Sequence, residues 1–209
     1  MNSNKILLST AYLAPIQYFC KLSQNKTIYI EQFENYNKQS YRNRCTIMGA
    51  NGPLALSIPV IKTNGPKTCI KDIKISYDED WQRVHWKSIE SAYNLSPFFE
   101  HYQDALKPFY TNKFEFLFEY NTALLKVLCE ELEIKTTINF TKDYISTSNE
   151  FDDYRESIHP KKSKQKEDTQ FKIIEYPQVF DDKMAFKPNL SILDLLFNMG
   201  PASYSVLEY

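Results

Sequence analysis

Two short apolar runs, at residues 5–9 and 27–30, bracket a stretch that opens with Pro15. That spacing restricts the fold more than any other feature of the chain. Residues 5–9, Lys-Ile-Leu-Leu-Ser, are too few for a stable helix and read as a buried strand. Pro15 suits the start of a helix, which residues 16–22 continue. Residues 27–30, Thr-Ile-Tyr-Ile, are β-branched and aromatic and read as a second strand. Two strands joined through a crossover helix normally lie parallel in one sheet. Ligands of such sheets gather at the carboxyl ends of the strands, here residues 10–12 and 31–33.

Downstream, Asn51-Gly52 between apolar runs at 45–48 and 54–61 signals a hairpin. Gly65-Pro66 marks another turn, and residues 70–76 alternate like a strand with one apolar face. Helices dominate from Trp81. The first is capped by Asp78 or Asp80 and runs to about Tyr93, with Trp81, Val84, His85, Ser88, Ile89 and Ala92 on one stripe. Ser96-Pro97 starts a second helix. An Asn112–Glu115 capping box starts a third, which ends near Leu132. Its apolar face reads as core. Residues 136–140 read as a strand, and residues 150–170 as a solvated polar loop. Four lysines at 161–166 make an anion-binding loop the sharper alternative there. Residues 191–198 form the last helix, with Ser191 and Asp194 spaced as a capping box and Gly200-Pro201 closing it. The pattern predicts an α/β protein of one domain over residues 1–209. An N-terminal strand–helix–strand and β-hairpin region with a mixed sheet precedes a helical C-terminal half.

Hydrophobic residues make up 43% of the chain, enough for a packed core, and aromatics 15%. Formal charge is -1, from 25 basic and 26 acidic residues, so no nucleic-acid partner is expected. No signal-peptide core and no run of about 20 apolar residues is present, so no membrane insertion is expected. Cys20, Cys45, Cys69 and Cys129 are too far apart for a paired zinc motif. They fit a reduced cytoplasmic compartment. Three scattered histidines do not make a metal site, and the sequence identifies no cofactor.

Three groups of residues could carry chemistry. Tyr12 and Gln17 put an aromatic face and an amide near a strand end, where they could hold a sugar or base. Glu31 stands at the next strand end and leads to Lys38, Tyr41, Arg42, Asn43 and Arg44. The arginine forks match phosphate or carboxylate, with Lys38 assisting. Glu31 could act as a base or orient an arginine. His85 faces inward on its helix and is the side chain best poised to move protons near neutrality. His101 and His159 are weaker candidates. Phosphate-binding glycine loops and a GxSxG serine motif are absent.

Several segments together resemble the WbqC-like family. They are Tyr-Leu-Ala-Pro-Ile-Gln-Tyr-Phe (12–19), Ser-Tyr-Arg-Asn-Arg-Cys-Thr-Ile (40–47), Asn-Gly-Pro-Leu-Ala-Leu-Ser-Ile-Pro-Val (51–60) and Trp-Gln-Arg-Val-His-Trp-Lys-Ser-Ile (81–89). Ala92-Tyr93, Pro97-Phe98-Phe99 and residues 186–201 follow in matching order. Glu31 departs from the aspartate of the family pattern. The family is named for proteins encoded among bacterial surface-polysaccharide genes. The resemblance implies acyl or amino-acyl modification of a nucleotide-linked amino sugar in O-antigen or capsule assembly. In that reading Arg42 and Arg44 bind the anion, His85 or Glu31 takes the proton, and Tyr12, Gln17 and Tyr41 hold the sugar. The alternative is a non-catalytic accessory binding module of a glycan-assembly complex, and an adenylating ligase is a weaker third reading.

Overall fold

A computed structural model describes residues 5–61, 67–146 and 150–208. The expected turn at Gly65-Pro66 lies outside them. Strand β1 (Lys5–Ser9), helix α1 (Ile16–Ser23) and strand β2 (Thr27–Glu31) follow in order. β1 and β2 pair in parallel, Ile6 opposite Ile28 and Ser9 opposite Glu31. β3 (Arg44–Gly49) and β4 (Gly52–Ser57) form a separate antiparallel hairpin closed by Ala50-Asn51. Gly52 has φ of 111°, a conformation that needs no Cβ, so a glycine belongs there. Helices α2 (Trp81–Tyr93), α3 (Phe99–Leu106) and α4 (Leu117–Glu131) come next. β5 (Thr137–Phe140) and β6 (Phe151–Asp153) then return to the first sheet. Helices α5 (Ile192–Met199) and α6 (Tyr204–Leu207) close the chain.

The four-stranded sheet is parallel throughout, in the order β5-β2-β1-β6. Taken in chain order, its strands stand third, second, first and fourth. The winding reverses between β1 and β6, so the loops leaving their carboxyl ends part in opposite directions. That opens a crevice at the edge where parallel sheets bind ligands. The core around it is apolar: Leu7, Leu8, Phe19, Leu22, Ile28 and Ile30 are buried.

Several local expectations give way to tertiary contacts. Residues 70–72 form a tight 3-10 turn and residues 73–76 join their neighbours only through single bridges. Ile70 and Ile73, three apart, are both buried, which suits a turn better than a strand. On α2, Val84 is 54% exposed and Trp86 takes its place inside. Asp80 precedes α2 without capping it and instead pairs with Arg83 at 2.6 Å. The Ser96 hydroxyl donates back to the Tyr93 carbonyl at 2.6 Å, so it ends α2 and α3 begins only at Phe99. The Asn112–Glu115 capping box does not form. The Asn112 carbonyl accepts from Gln82, Glu115 pairs with Lys74, and α4 begins at Leu117. Ser191 does cap α5, but the Asp194 side chain does not complete a box. It accepts from the hydroxyls of Tyr93 and Tyr176 and the amide of Gln178, all within the core. Gly200 ends α5 with φ of 51°, and a Cβ there would sit 2.5 Å from the Phe98 ring.

The segment expected as a polar loop at 150–170 contains β6 and two buried ion pairs. Residues 161–167 are exposed, as solvated lysines require. Asp168, just beyond, reaches into the fold and accepts from the Lys21 ammonium at 2.8 Å and the Gln17 amide at 2.9 Å. Lys21 is 0% exposed and sits 4.5 Å above the Tyr154 ring. Removing one partner of such a pair strands a charge away from water. Asp168→Ala is expected to cost about 3–5 kcal/mol in urea unfolding. Combining it with Lys21→Met should recover most of that loss, and an unaltered midpoint in the single variant would contradict the pairing.

Candidate functional site

The crevice between β1 and β6 is walled by three segments. Ser9, Thr10 and Ala11 leave β1, Tyr41 and Arg42 precede β3, and Tyr154, Arg155 and Ile158 follow β6; Tyr18 of α1 forms the floor. The Tyr18 hydroxyl donates to the Ser9 carbonyl at 2.9 Å, and the Ser9 hydroxyl to the Arg155 carbonyl at 3.2 Å, which holds the two strand ends together. The cavity measures about 10 Å³, room for roughly one water.

Two buried guanidinium groups flank it. Arg42 forks onto Glu34, with Nε and Nη2 each donating to one carboxylate oxygen. Its Nη2 also donates to Glu156 at 2.8 Å. Burial pushes the Glu34 carboxyl above its ordinary range against the pull of Arg42. Arg155 holds Asp153 through Nε and Nη2, the shortest contact being 2.6 Å. Its Nη1 donates to the Ile145 carbonyl at 2.8 Å and to Glu31 at 3.3 Å. His159 stands beside them on the segment after β6, 2% exposed. Its Nδ1 accepts from the Lys161 backbone at 3.0 Å, and its Nε2 is buried with no partner. The neighbouring Ser157 hydroxyl is buried and unpartnered as well. Burial and then the Lys164 ammonium hold the His159 imidazole below its usual range, so its neutral form prevails near neutrality.

The residues singled out in the sequence separate into several places. Tyr41 and Arg42 line the crevice. Burial pushes the Tyr41 phenol up to about 12. Glu31 is 0% exposed and already accepts four bonds, from the Phe33 and Ile145 backbones, the Thr141 hydroxyl and Arg155. Those contacts make it an anchor for Arg155. The Gln17 amide is engaged by Asp168 and Asn189. Lys38 is exposed. Asn43 and Arg44 brace the hairpin, donating to the Ile58 carbonyl at 2.8 Å and the Ser57 hydroxyl at 2.9 Å. Arg44 has no carboxylate partner among the described residues.

Tyr12 and His85 come together, but inside the core. The Tyr12 hydroxyl is 2.9 Å from His85 Nδ1 and 3.1 Å from the Tyr110 hydroxyl. The rings of Tyr12 and His85 stack at 5.7 Å, and Trp81 meets His85 edge-on at 5.1 Å. Burial lowers the His85 pKa to about 4, against a weaker opposing bond to the Ser57 backbone. His85 therefore stays neutral at physiological pH and does not line the crevice. Its inward direction was readable from helical spacing; its distance from the arginines was not.

Glu34, Tyr154, Arg155 and Glu156 escaped the sequence reading. β6 has three residues, too few to show periodicity, and its pairing with β1 spans more than 140 residues. Among the described residues no cluster of three or more metal-ligating side chains occurs, and no helix is long and apolar enough to cross a membrane.

The model of the WbqC-like protein family matches residues 10–158 and 161–206. The chain belongs to the WbqC-like family. The first matched segment spans the crevice residues from Thr10 to Ile158. A Mycobacterium tuberculosis (strain ATCC 25618 / H37Rv) protein named "Uncharacterized protein Rv1507c" is 26% identical over 202 residues, covering 83% of this chain and 84% of its own. No solved structure matches this WbqC-like chain significantly.

The buried imidazole of His85 makes a pH prediction. An unfolded histidine titrates near 6.5, but the folded one only near 4. The unfolded chain therefore takes the proton first, and the contribution of His85 is present above pH 6.5 and lost as pH falls towards 4. The loss is on the order of 3 kcal/mol. Urea unfolding at pH 7 and pH 4.5 should show a smaller decline for His85→Asn than for the parent; equal declines would contradict the assignment.

Proposed function

We infer that the crevice is the active site of a transferase that moves an acyl or amino-acyl group onto a nucleotide-linked amino sugar during surface-polysaccharide assembly. One observation carries this reading: two buried arginines meet where the sheet reverses its winding, with an imidazole whose Nε2 has no partner on the segment beside them. Arginine forks suit the phosphates of a nucleotide carrier. Tyr41 and Tyr154 supply flat faces for a sugar or base. His159 Nδ1 accepts from the Lys161 backbone, so Nε2 carries the ring proton and donates a hydrogen bond to the acyl carbonyl oxygen as the sugar amine attacks the acyl carbon. The N–C bond forms as the bond to the acyl carrier breaks, and the proton lost by the amine passes to the departing carrier. Membership of a family named for surface-polysaccharide gene clusters supports the choice of substrate.

The test is a thermal-shift panel of nucleotide sugars, acyl-CoA donors and amino acids, followed by turnover with any pair that binds. A nucleotide amino sugar at 100 times its dissociation constant should add about 2.7 kcal/mol and raise the melting temperature by about 5–10 °C. His159→Leu should lower turnover about a hundredfold and keep the shift; unchanged turnover would remove His159 from the mechanism. Silence across the panel with folded protein would replace the transferase by an accessory binding module.

A further inference from the structure

Glu156 is an unusual partner for Arg42. The guanidinium already has a bidentate, buried carboxylate in Glu34, which balances its charge. Glu156 adds a second carboxylate to the outer nitrogen, Nη2, from the solvent side, with its own side chain 52% exposed. Its other oxygen accepts from Asn37 at 3.2 Å. The carboxylate thus bridges the loop before β3 and the segment after β6, beside Arg42 of the crevice.

The segment that carries Glu156 is built like a strap. Its near end is held by Glu156 on Arg42, its far end by Asp168 on Lys21. Between them lie Ser157 and His159, each with a buried polar atom that no partner satisfies. Such orphans cost about 1–3 kcal/mol each unless something occupies them. Beyond them come four exposed lysines, 161, 162, 164 and 166, none in an ion pair among the described residues. Three of them act close to the crevice, Lys161 and Lys164 on the His159 imidazole and Lys166 on the Asp153 carboxylate.

We propose that Glu156 is an internal stand-in for the diphosphate of the nucleotide carrier, occupying on Arg42 the place the substrate takes when the strap opens. This rests on the reading of the crevice as a nucleotide-sugar site and names the group that site recognises first. Swinging Glu156 out exposes the outer edge of Arg42 and enlarges a cavity now too small for any substrate. The incoming diphosphate replaces one carboxylate on Arg42 Nη2. It also draws the lysines inward and brings an acceptor to the Ser157 hydroxyl. Without ligand, Glu156 keeps the guanidinium paired and the crevice shut. The apparent affinity is lowered by the fraction of molecules in which the strap is closed.

Calorimetric titration of the whole chain with uridine diphosphate, inorganic pyrophosphate and uridine tests this. Glu156→Gln keeps the size of the side chain and weakens its hold on Arg42. It should bind uridine diphosphate and pyrophosphate about tenfold more tightly than the parent, and uridine no better. Lys162→Gln with Lys164→Gln, at two exposed positions, should weaken both anions and flatten their salt dependence. Thermal melts of each variant confirm folding. Measurable binding of uridine diphosphate that Glu156→Gln leaves unchanged or weakens would overturn the stand-in role while sparing the site. Equal tightening of uridine would overturn recognition of the diphosphate. Absence of binding in the parent and every variant would overturn the stand-in role and the nucleotide-sugar reading together.

Discussion

Two guanidinium groups are held out of water at the carboxyl edge of the sheet, and each ties together segments far apart in sequence. Arg155 joins β6, the end of β2 and the connection between β5 and β6 through Asp153, Glu31 and the Ile145 carbonyl. Arg42 joins the loop after β2 to the segment after β6 through Glu34 and Glu156. A buried charge must be paired and hydrogen-bonded to persist, so these contacts fix where the loops run. The crevice follows from that arrangement, because the segments that would otherwise fill the reversal between β1 and β6 are pulled to either side.

Support comes from two buried polar centres in the surrounding core. Tyr12, at the start of the crevice loop, leans on His85 and Tyr110. Asp194 collects Tyr93, Tyr176 and Gln178, and Tyr93 in turn accepts from the Met48 backbone of β3. The first centre fixes the loop leaving β1 against α2, the second fixes α2 and α5 against the hairpin. Satisfied networks of this kind favour one arrangement of the core, because a shifted partner leaves a buried group unpaired. They explain why a chain so rich in tyrosine can bury many of them.

The fold was legible where residues report on their own neighbourhood. β1, α1 and β2 stand out because an apolar run and a proline-led helix are local signals, and their parallel pairing follows from the crossover. The hairpin shows itself through Asn51-Gly52, and α2 through its repeat. Legibility failed where a distant partner decides. Asn112 caps nothing because Glu115 pairs with Lys74 and α4 begins only at Leu117, and Asp194 completes no capping box because three donors from elsewhere claim it. Arg42 was readable as an anion-binding side chain from its setting among polar residues. That its fork would be taken by Glu34, and that Arg155 and His159 would stand opposite, depends on β6 adding beside β1. A three-residue strand carries no periodicity to announce that step.

A crystal structure grown with uridine diphosphate bears most directly on the claim that this crevice is the working site. The account predicts the diphosphate within hydrogen-bond distance of the Arg42 guanidinium, between Ser9 and Tyr154, with the Glu156 carboxylate turned away from Arg42. A ligand ordered elsewhere would contradict it. A groove between Tyr102 and Tyr204, rimmed by Glu131 and Glu133, offers such a ligand about 510 Å³.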